Sequence, residues 1–422
     1  SSLFLGGFGR ACRFHVCTKA WDASAGRMSK TAQDKNGYAA LQGKKDQEAG
    51  LTAPAAKKYA TCTTCAKRLL LDSYLNALLF CVPFGIAAPR VHWDDQAIFA
   101  LNFLAILPLA KILGSITEEI ADSVGETLGG LLNASFGNAV EMLLSVFALR
   151  KGLVSVVQGS LLGSILSNLL LVLGMCFFFG GIKFHKQKYN ADGARVQSNL
   201  LLLSVLAMVI PSLVGVVTSE ENISLAMSRG AAIILTVLYG LYLVFQLRTH
   251  KDYFETENDA AGENEEDPMH PGLATLLLLL VTLLVAVCSE GLVNSVEGIT
   301  RSMGISEEFI GVILLPIVGN AAEHLTAVDV AMKNKMDLSL GVALGSSSQI
   351  ALLVVPFTVC AGWAIDVPMD LNFRPLGTGI LLVTVLIVGS VTSDGESNWL
   401  EGAMLIAAYV MVGLTYFTIT TE

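Results

Sequence analysis

Two short stretches hold the residues best placed to do chemistry. Gly137-Asn138-Ala139-Val140-Glu141 and Gly319-Asn320-Ala321-Ala322-Glu323 repeat the pattern Gly-Asn-Ala-x-Glu, once in each half of the chain and each inside an apolar run. A carboxylate in a membrane-length apolar segment costs about 2.5–3.5 kcal/mol even on lenient insertion scales. On a helix, residues three and four apart share a face. Gly137, Asn138 and Glu141 therefore project together, as do Gly319, Asn320 and Glu323. Glycine leaves a carbonyl oxygen accessible, asparagine adds an amide, and glutamate adds charge. No arginine or lysine in either run is placed to neutralise the glutamates.

Such a set suits a hard cation. Ca²⁺ takes about six to eight oxygen ligands in flexible geometry, and Mn²⁺ also accepts hard oxygens. Each motif is followed by a Gly-Ser-rich run. The first places Ser164, Ser167 and Asn168 at helical neighbour spacings, and the second does the same for Ser346 and Gln349. Small polar residues also serve helix packing in membranes, but two such clusters matched to two glutamates read as ligands or their supports. Like charges repel and burial penalises each one. Without a cation the glutamate pair is expected to hold protons, and a divalent cation is expected to displace them. Cation and H⁺ then compete for the same oxygens. His324 follows Glu323, about 100° around the helix. Histidine ordinarily titrates near neutral pH, so it joins Glu141 and Glu323 as a candidate for proton coupling, with simple packing as its other role.

Weaker candidates for cation access are acidic groups near the ends of apolar runs. Glu118, Glu119 and Glu126 form one group, and Glu290 and Glu297 another; a solvated helix end explains either equally well. Asp329 is read as access or interface chemistry. The polar segment from Lys251 to Pro268 includes Glu255, Glu257, Glu265 and Glu266. Acidic runs are usually solvated linkers, yet beside a pathway they raise local cation concentration.

The elements that must position these residues follow from composition. Hydrophobic residues make up 53% of the 422 and charged residues 15%, against about 25% charged in soluble domains. The apolar runs are continuous and long enough for helices crossing about 30 Å, which excludes the alternating short strands of a barrel. The expected fold is an all-α polytopic membrane protein with eleven spans, near 75–89, 95–116, 125–149, 153–181, 197–217, 223–247, 272–299, 306–332, 338–363, 375–391 and 398–419. Basic residues in the segments before span 1 and after spans 4, 6 and 8 put those segments and the amino terminus in the cytosol; Arg150-Lys151 runs against the pattern. The expected organisation is a disordered tail over 1–68, a first helix in 69–92, one five-helix set in 93–250, an acidic segment over 251–270 and a second set in 271–422. An odd number of spans per set inverts the second relative to the first, as in many secondary transporters.

Other classes lack their signatures. There is no basic stripe interleaved with aromatics for nucleic acid and no GxxxxGK[ST] loop for ATP, and nothing reads as an enzyme's nucleophile or redox centre. The eight cysteines give no disulfide framework. Cys81, Cys176, Cys288 and Cys360 read as small hydrophobes; Cys62 and Cys65 form a lone pair, weak as a zinc signal and open to palmitoylation. Residues 1–27 carry Arg10, Arg13, Lys19 and Arg27 against one acid, Asp22, loosely like a transit peptide; the expectation is that Met28 is the true start or that the part upstream of it is processed.

The run from Phe136 to Gly174 and the run from Gly319 to Pro356 closely resemble the two signature repeats of the vacuolar Ca²⁺/H⁺ exchangers, the cation/proton branch of the Ca²⁺/cation antiporter superfamily. The resemblance spans roughly residues 69–419, and GNAAEH sets this branch apart from sodium-coupled exchangers. It implies one extra helix plus two sets of five. It also implies Glu141 and Glu323 as central ligands for cation and proton, the neighbouring Asn, Ser and Gln residues lining the site, and a cytosolic acidic helix within 251–268. Asp329 departs from the uncharged residue usual there. The implied activity is secondary active exchange of Ca²⁺, with Mn²⁺ as a second substrate, for H⁺ across a vacuolar or similar acidic-compartment membrane. The alternative is a Na⁺-coupled Ca²⁺ exchanger; a passive channel and a membrane scaffold are more distant readings. No cofactor is expected beyond transported Ca²⁺. The expected partners are Ca²⁺, H⁺ and the bilayer, leaving room for a homo-oligomer.

Overall fold

Continuous apolar sequence in a bilayer satisfies its own backbone only by closing hydrogen bonds within helices, and the structure is helical almost throughout. The computed structural model describes residues 59–71, 73–124, 126–217, 221–253 and 267–419. Expectations for the tail up to residue 58 and for Glu255, Glu257, Glu265 and Glu266 fall outside these residues.

Among the described residues, nine helices are long and apolar enough to cross a membrane, and eleven spans result when each of two bent pairs is counted as one. The first bent pair joins Thr63–Leu71 to Tyr74–Ala87 at 100°. Its outer part, Cys62–Leu71, is a helix, so residues 62–68, expected in the disordered tail from their composition, are ordered. Packing supplies what composition does not: Ala60 N–H donates to Pro268 O at 3.0 Å, and Arg68 pairs with Glu119 at 3.5 Å. Span 2 runs from Asp95 to Val124, further than its apolar stretch suggested, so Glu118 and Glu119 lie within the helix. Span 5 likewise begins early, at Ala191.

The two sets of five are related by a constant shift of 182 residues, which carries Gly137 to Gly319 and Glu141 to Glu323. Backbone features follow the same shift. Gly152 and Asn334, both at positive φ, turn the chain after spans 3 and 8. A π-helical turn interrupts span 4 at Ser167–Val172 and span 9 at Ile350–Val354. Packing is reciprocal as well: span 2 lies along span 7, span 4 packs on span 11, and span 9 packs on span 6. Gly174 and Gly402 let spans 4 and 11 approach through backbone, since a methyl on Gly402 would meet Gly174 O at 2.6 Å. Spans 4 and 9 are the inner elements, 72% and 67% buried over their apolar windows, whereas span 6 is 22% buried and faces outward.

The ends sort as an inverted pair requires. Gln187–Lys188, after span 4, forms a two-residue antiparallel ladder with Glu396–Ser397, after span 10. Lys186 pairs with Glu396 there and holds its carboxyl below the usual range. Lys183 and Gln187 also donate to Met332 O and Ala331 O, at 2.7 and 2.8 Å, where span 8 ends. At the opposite end, the loop after span 9 meets the starts of spans 4, 6 and 8. Single cysteines at His185 and Ser393, in a cysteine-free background, should therefore label from one side of sealed vesicles, and one at Arg301 only from the other. Labelling of all three from one side would overturn this topology.

Candidate cation-binding site

Glu141 is positioned by a break in span 3. One helix ends at Gly137, Asn138 takes φ −101° and ψ 19°, and a second helix starts at Ala139. The two halves are bent by 47°. Glu141 thus lies in the first turn of the second half, where free N–H groups and the positive end of the helix dipole favour an anion. Glu323 lies on an unbroken helix, Leu315–Met332, which follows a π-helical turn at Ile310–Leu314. The polar clusters of spans 4 and 9 sit at the mouth of their own π turns. Such turns rearrange local carbonyls and recur at functional sites.

These elements bring both motifs to one place. The Glu141 carboxylate lies against the Cα of Gly319, so that a methyl group there would overlap it. Glu141 and Glu323 are near enough to interact by charge. The Asn138 amide donates to Gln349 Oε1 at 2.9 Å, and the Asn168 amide donates to Ser346 Oγ at 3.2 Å. The Ser346 hydroxyl in turn faces Glu323. Each of these contacts except the last joins one half of the chain to the other. Glu141, Asn138, Ser164, Asn168, Asn320 and Ser346 are all buried. Ser167 donates to Ser164 O within its own helix at 3.2 Å, and Gly137 sits at the helix break.

Several buried polar atoms have no hydrogen-bond partner among the described residues: Oε2 of Glu141, Oε2 of Glu323, Oγ of Ser164, Nδ2 of Asn320 and Nε2 of His324. Orphaned buried polar groups cost about 1–3 kcal/mol each, more if charged, so convergent oxygens of this kind suit a ligand that supplies positive charge. Among the described residues, no three His, Cys, Asp or Glu side chains gather to hold a metal. A cation held by the two carboxylates would need neutral oxygens to complete its shell, which Ca²⁺ accepts readily.

The peripheral candidates separate. Glu118, Glu119 and Asp122 line a cavity of about 370 Å³ together with Arg68, Lys111 and Asn76. Glu118 is exposed and within charge range of Glu323. Glu119 is held in place, since besides Arg68 it accepts from Met269 N–H at 2.6 Å and so ties the segments preceding spans 1 and 7. Glu290 is exposed, and Glu297 pairs with Arg301 at 3.5 Å in solvent. Asp329 pairs with Lys333 at 2.6 Å, both well exposed; it is a solvated helix-end pair rather than a site group. The side chain of Glu126 lies outside the described residues. The sequence reading missed Asp370, which accepts from Gln158 Nε2 at 2.8 Å and from Ser224 Oγ at 3.0 Å; a loop aspartate gave no signal of that role.

Carboxylate, amide and hydroxyl groups thus come together where the two inverted halves of a multi-spanning helical membrane protein meet. Residues 96–248 and 273–418 match the family model described as sodium/calcium exchanger protein. The chain belongs to that family. It is 46% identical over 359 residues to a Ca²⁺/H⁺ antiporter of Aphanothece halophytica, covering 82% of this chain and 96% of the relative. It is 44% identical to a vacuolar calcium ion transporter of Schizosaccharomyces pombe, covering 83% and 86%. The fold matches native YfkE with a TM-score of 0.71 at 37% identity, over 82% of this chain and all of that one. It also matches the H⁺/Ca²⁺ exchanger CAX at 0.62 and 16% identity, covering 81% and 91%, a likeness of fold.

Because Gly319 leaves room for the Glu141 carboxylate, Gly319→Ala should weaken apparent Ca²⁺ affinity by about ten-fold, in line with the cost of overpacking a tight site, with little change in the yield of folded protein. Equilibrium Ca²⁺ binding in detergent checks this; unchanged affinity would contradict the geometry.

Proposed function

We propose that the protein is a secondary active antiporter exchanging Ca²⁺, with Mn²⁺ as a second substrate, for H⁺, and that it loads the cation into an acidic compartment. One observation carries the reading: Glu141, buried, and Glu323, half-buried, come from the two halves and lie within charge range of each other, with no lysine or arginine paired to either among the described residues. Such a pair must be neutralised, either by protons or by a divalent cation. Asn138, Asn168, Asn320, Ser164, Ser346 and Gln349, with the backbone near Gly137 and Gly319, line the site in this reading, and His324 tunes its protons. Cation approaches past Glu118 and the acidic cavity. Low pH favours the protonated pair and so releases the cation on the acidic side; higher pH on the other side favours rebinding. Alternating access around one fixed site then couples the two fluxes.

Similarity to a Ca²⁺/H⁺ antiporter supports H⁺ as the coupling ion, and GNAAEH supports the same branch. In this reading residues 69–92 supply the extra helix, 93–250 and 271–422 the two halves, and 251–270 a cytosolic acidic segment. The amino terminus is cytosolic and the membrane that of a vacuole or similar compartment. The family description includes sodium, so Na⁺ dependence is the discriminating test. Vesicles with an acidic interior should accumulate Ca²⁺ without Na⁺, and a protonophore should abolish the uptake. Glu141→Gln and Glu323→Gln should each reduce it to background while remaining inserted and folded. Strict dependence on Na⁺, or robust exchange by either variant, would reject the proposal.

A further inference from the structure

Span 6 faces outward along most of its length, yet it carries an arginine. Arg229 is half-buried, and a charged side chain within a membrane span is costly enough to need a partner. No carboxylate supplies one. Among the described residues Arg229 forms no ion pair, and neither does Asp366 in the turn after span 9. Asp370 is engaged by Gln158 and Ser224. The partner is aromatic: the Arg229 guanidinium lies over the Trp363 ring, 4.7 Å from its centre. Such a contact uses the charge and leaves the planar N–H donors to other acceptors. Nε of Arg229 is buried and has no acceptor among the described residues.

The depth of this pair follows from the helices. Span 9 runs from Met336 to Ala364, so Ile350 marks its middle. Trp363 lies 13 residues further on, about 20 Å at roughly 1.5 Å per residue, past the roughly 15 Å half-thickness of the hydrocarbon. Helical side chains lean toward the helix N-terminus. Spans 6 and 9 start from opposite sides, so Arg229 leans outward to headgroup level and Trp363 leans inward to meet it. One and two turns below Arg229, on the same face, Ile233 and Val237 are exposed. Beside them, nothing described lies within 4 Å of a methyl placed on Gly240. The pair therefore caps an apolar, outward-facing stripe. On its other flank, the second half of span 3 packs along the second half of span 9 and ends at Arg150 and Lys151, both exposed.

We propose that Arg229 and Trp363 form a binding site for the phosphate of an anionic phospholipid, in the leaflet away from the Gln187–Ser397 ladder, luminal in the proposed topology. The guanidinium donates parallel N–H bonds to two phosphate oxygens, Trp363 fixes its plane, and an acyl chain lies along Ile233 and Val237. Arg150 and Lys151 add attraction for the headgroup's net charge and disfavour the ammonium of a zwitterionic one. They thereby acquire a role on the side where basic residues are usually few. The site depends on the arrangement of spans 3, 6 and 9 and is independent of which ion drives exchange.

Lipid titration tests it. Full-length protein is stripped of lipid in detergent, phosphatidylglycerol is added, and bound lipid is counted by native mass spectrometry. Wild type should retain one tightly held phosphatidylglycerol per chain and hold phosphatidylcholine more weakly. Arg229→Gln should weaken phosphatidylglycerol binding by about ten-fold, the loss expected for a charge-assisted hydrogen bond. Arg229→Lys should recover only part, because an ammonium does not fork onto a phosphate. Arg150→Gln/Lys151→Gln, at an exposed helix end, keeps the assay decisive if Arg229→Gln fails to fold. It should weaken binding by about five-fold for each charge removed, and that difference should shrink at high salt. Equal binding of the two lipids by wild type, or wild-type affinity in Arg229→Gln or in the double variant, would overturn the site. Displacement of the lipid by millimolar inorganic phosphate would overturn it in favour of a free anion.

Discussion

Two like charges held together away from water are the constraint on which this structure rests. Glu141 and Glu323 come from opposite halves, lie within charge range of each other with one unpartnered carboxylate oxygen each kept from solvent, and lack a basic partner among the described residues. Neither an isolated carboxylate nor a pair of them is tolerable in such a medium. On the proposed reading the site is stable only with protons on it or a cation in it, and the two solutions exclude one another. Exchange is then a property of the site itself, with no separate wire between cation and proton.

Everything else keeps that encounter in register. The contacts that define the ring cross between halves: Glu141 against Gly319, Asn138 to Gln349, Asn168 to Ser346. A relative movement of the halves must therefore alter the oxygens offered to a ligand. The inner spans 4 and 9 carry their polar clusters next to π turns, so local backbone can adjust without unwinding a helix. Reciprocal packing of span 4 on span 11 and of span 9 on span 6 ties each inner helix to the opposite half. The tethers at the two ends differ, through Gln187 at one and Asp370 at the other.

Much of this was legible because polar residues are costly in apolar helices. Each asparagine, serine or glutamate in such a run must find a partner, so the two Gly-Asn-Ala-x-Glu motifs and the two serine clusters pointed at each other before any coordinates. What lay beyond the sequence depended on tertiary approach. Glycine and asparagine permit a bend at 137–138 yet do not demand one; the equivalent residues in span 8 stay straight. The helix at Cys62–Leu71 is fixed by Glu119 and Pro268, both distant in sequence. Asp370 reads as a loop acid until Gln158 and Ser224 are seen around it. Asp329, an acid in an apolar helix, has its partner Lys333 one turn away in solvent.

The central claim is that cation and protons occupy the same two carboxylates, and proton release on binding measures it directly. Ca²⁺ added to purified protein in weakly buffered detergent solution should release protons in proportion to the sites filled. The release should shrink as the starting pH is raised and the carboxylates deprotonate beforehand. The Glu141→Gln/Glu323→Gln protein should show neither binding nor release. Saturable Ca²⁺ binding to the wild-type protein with no proton release at any starting pH would contradict the account.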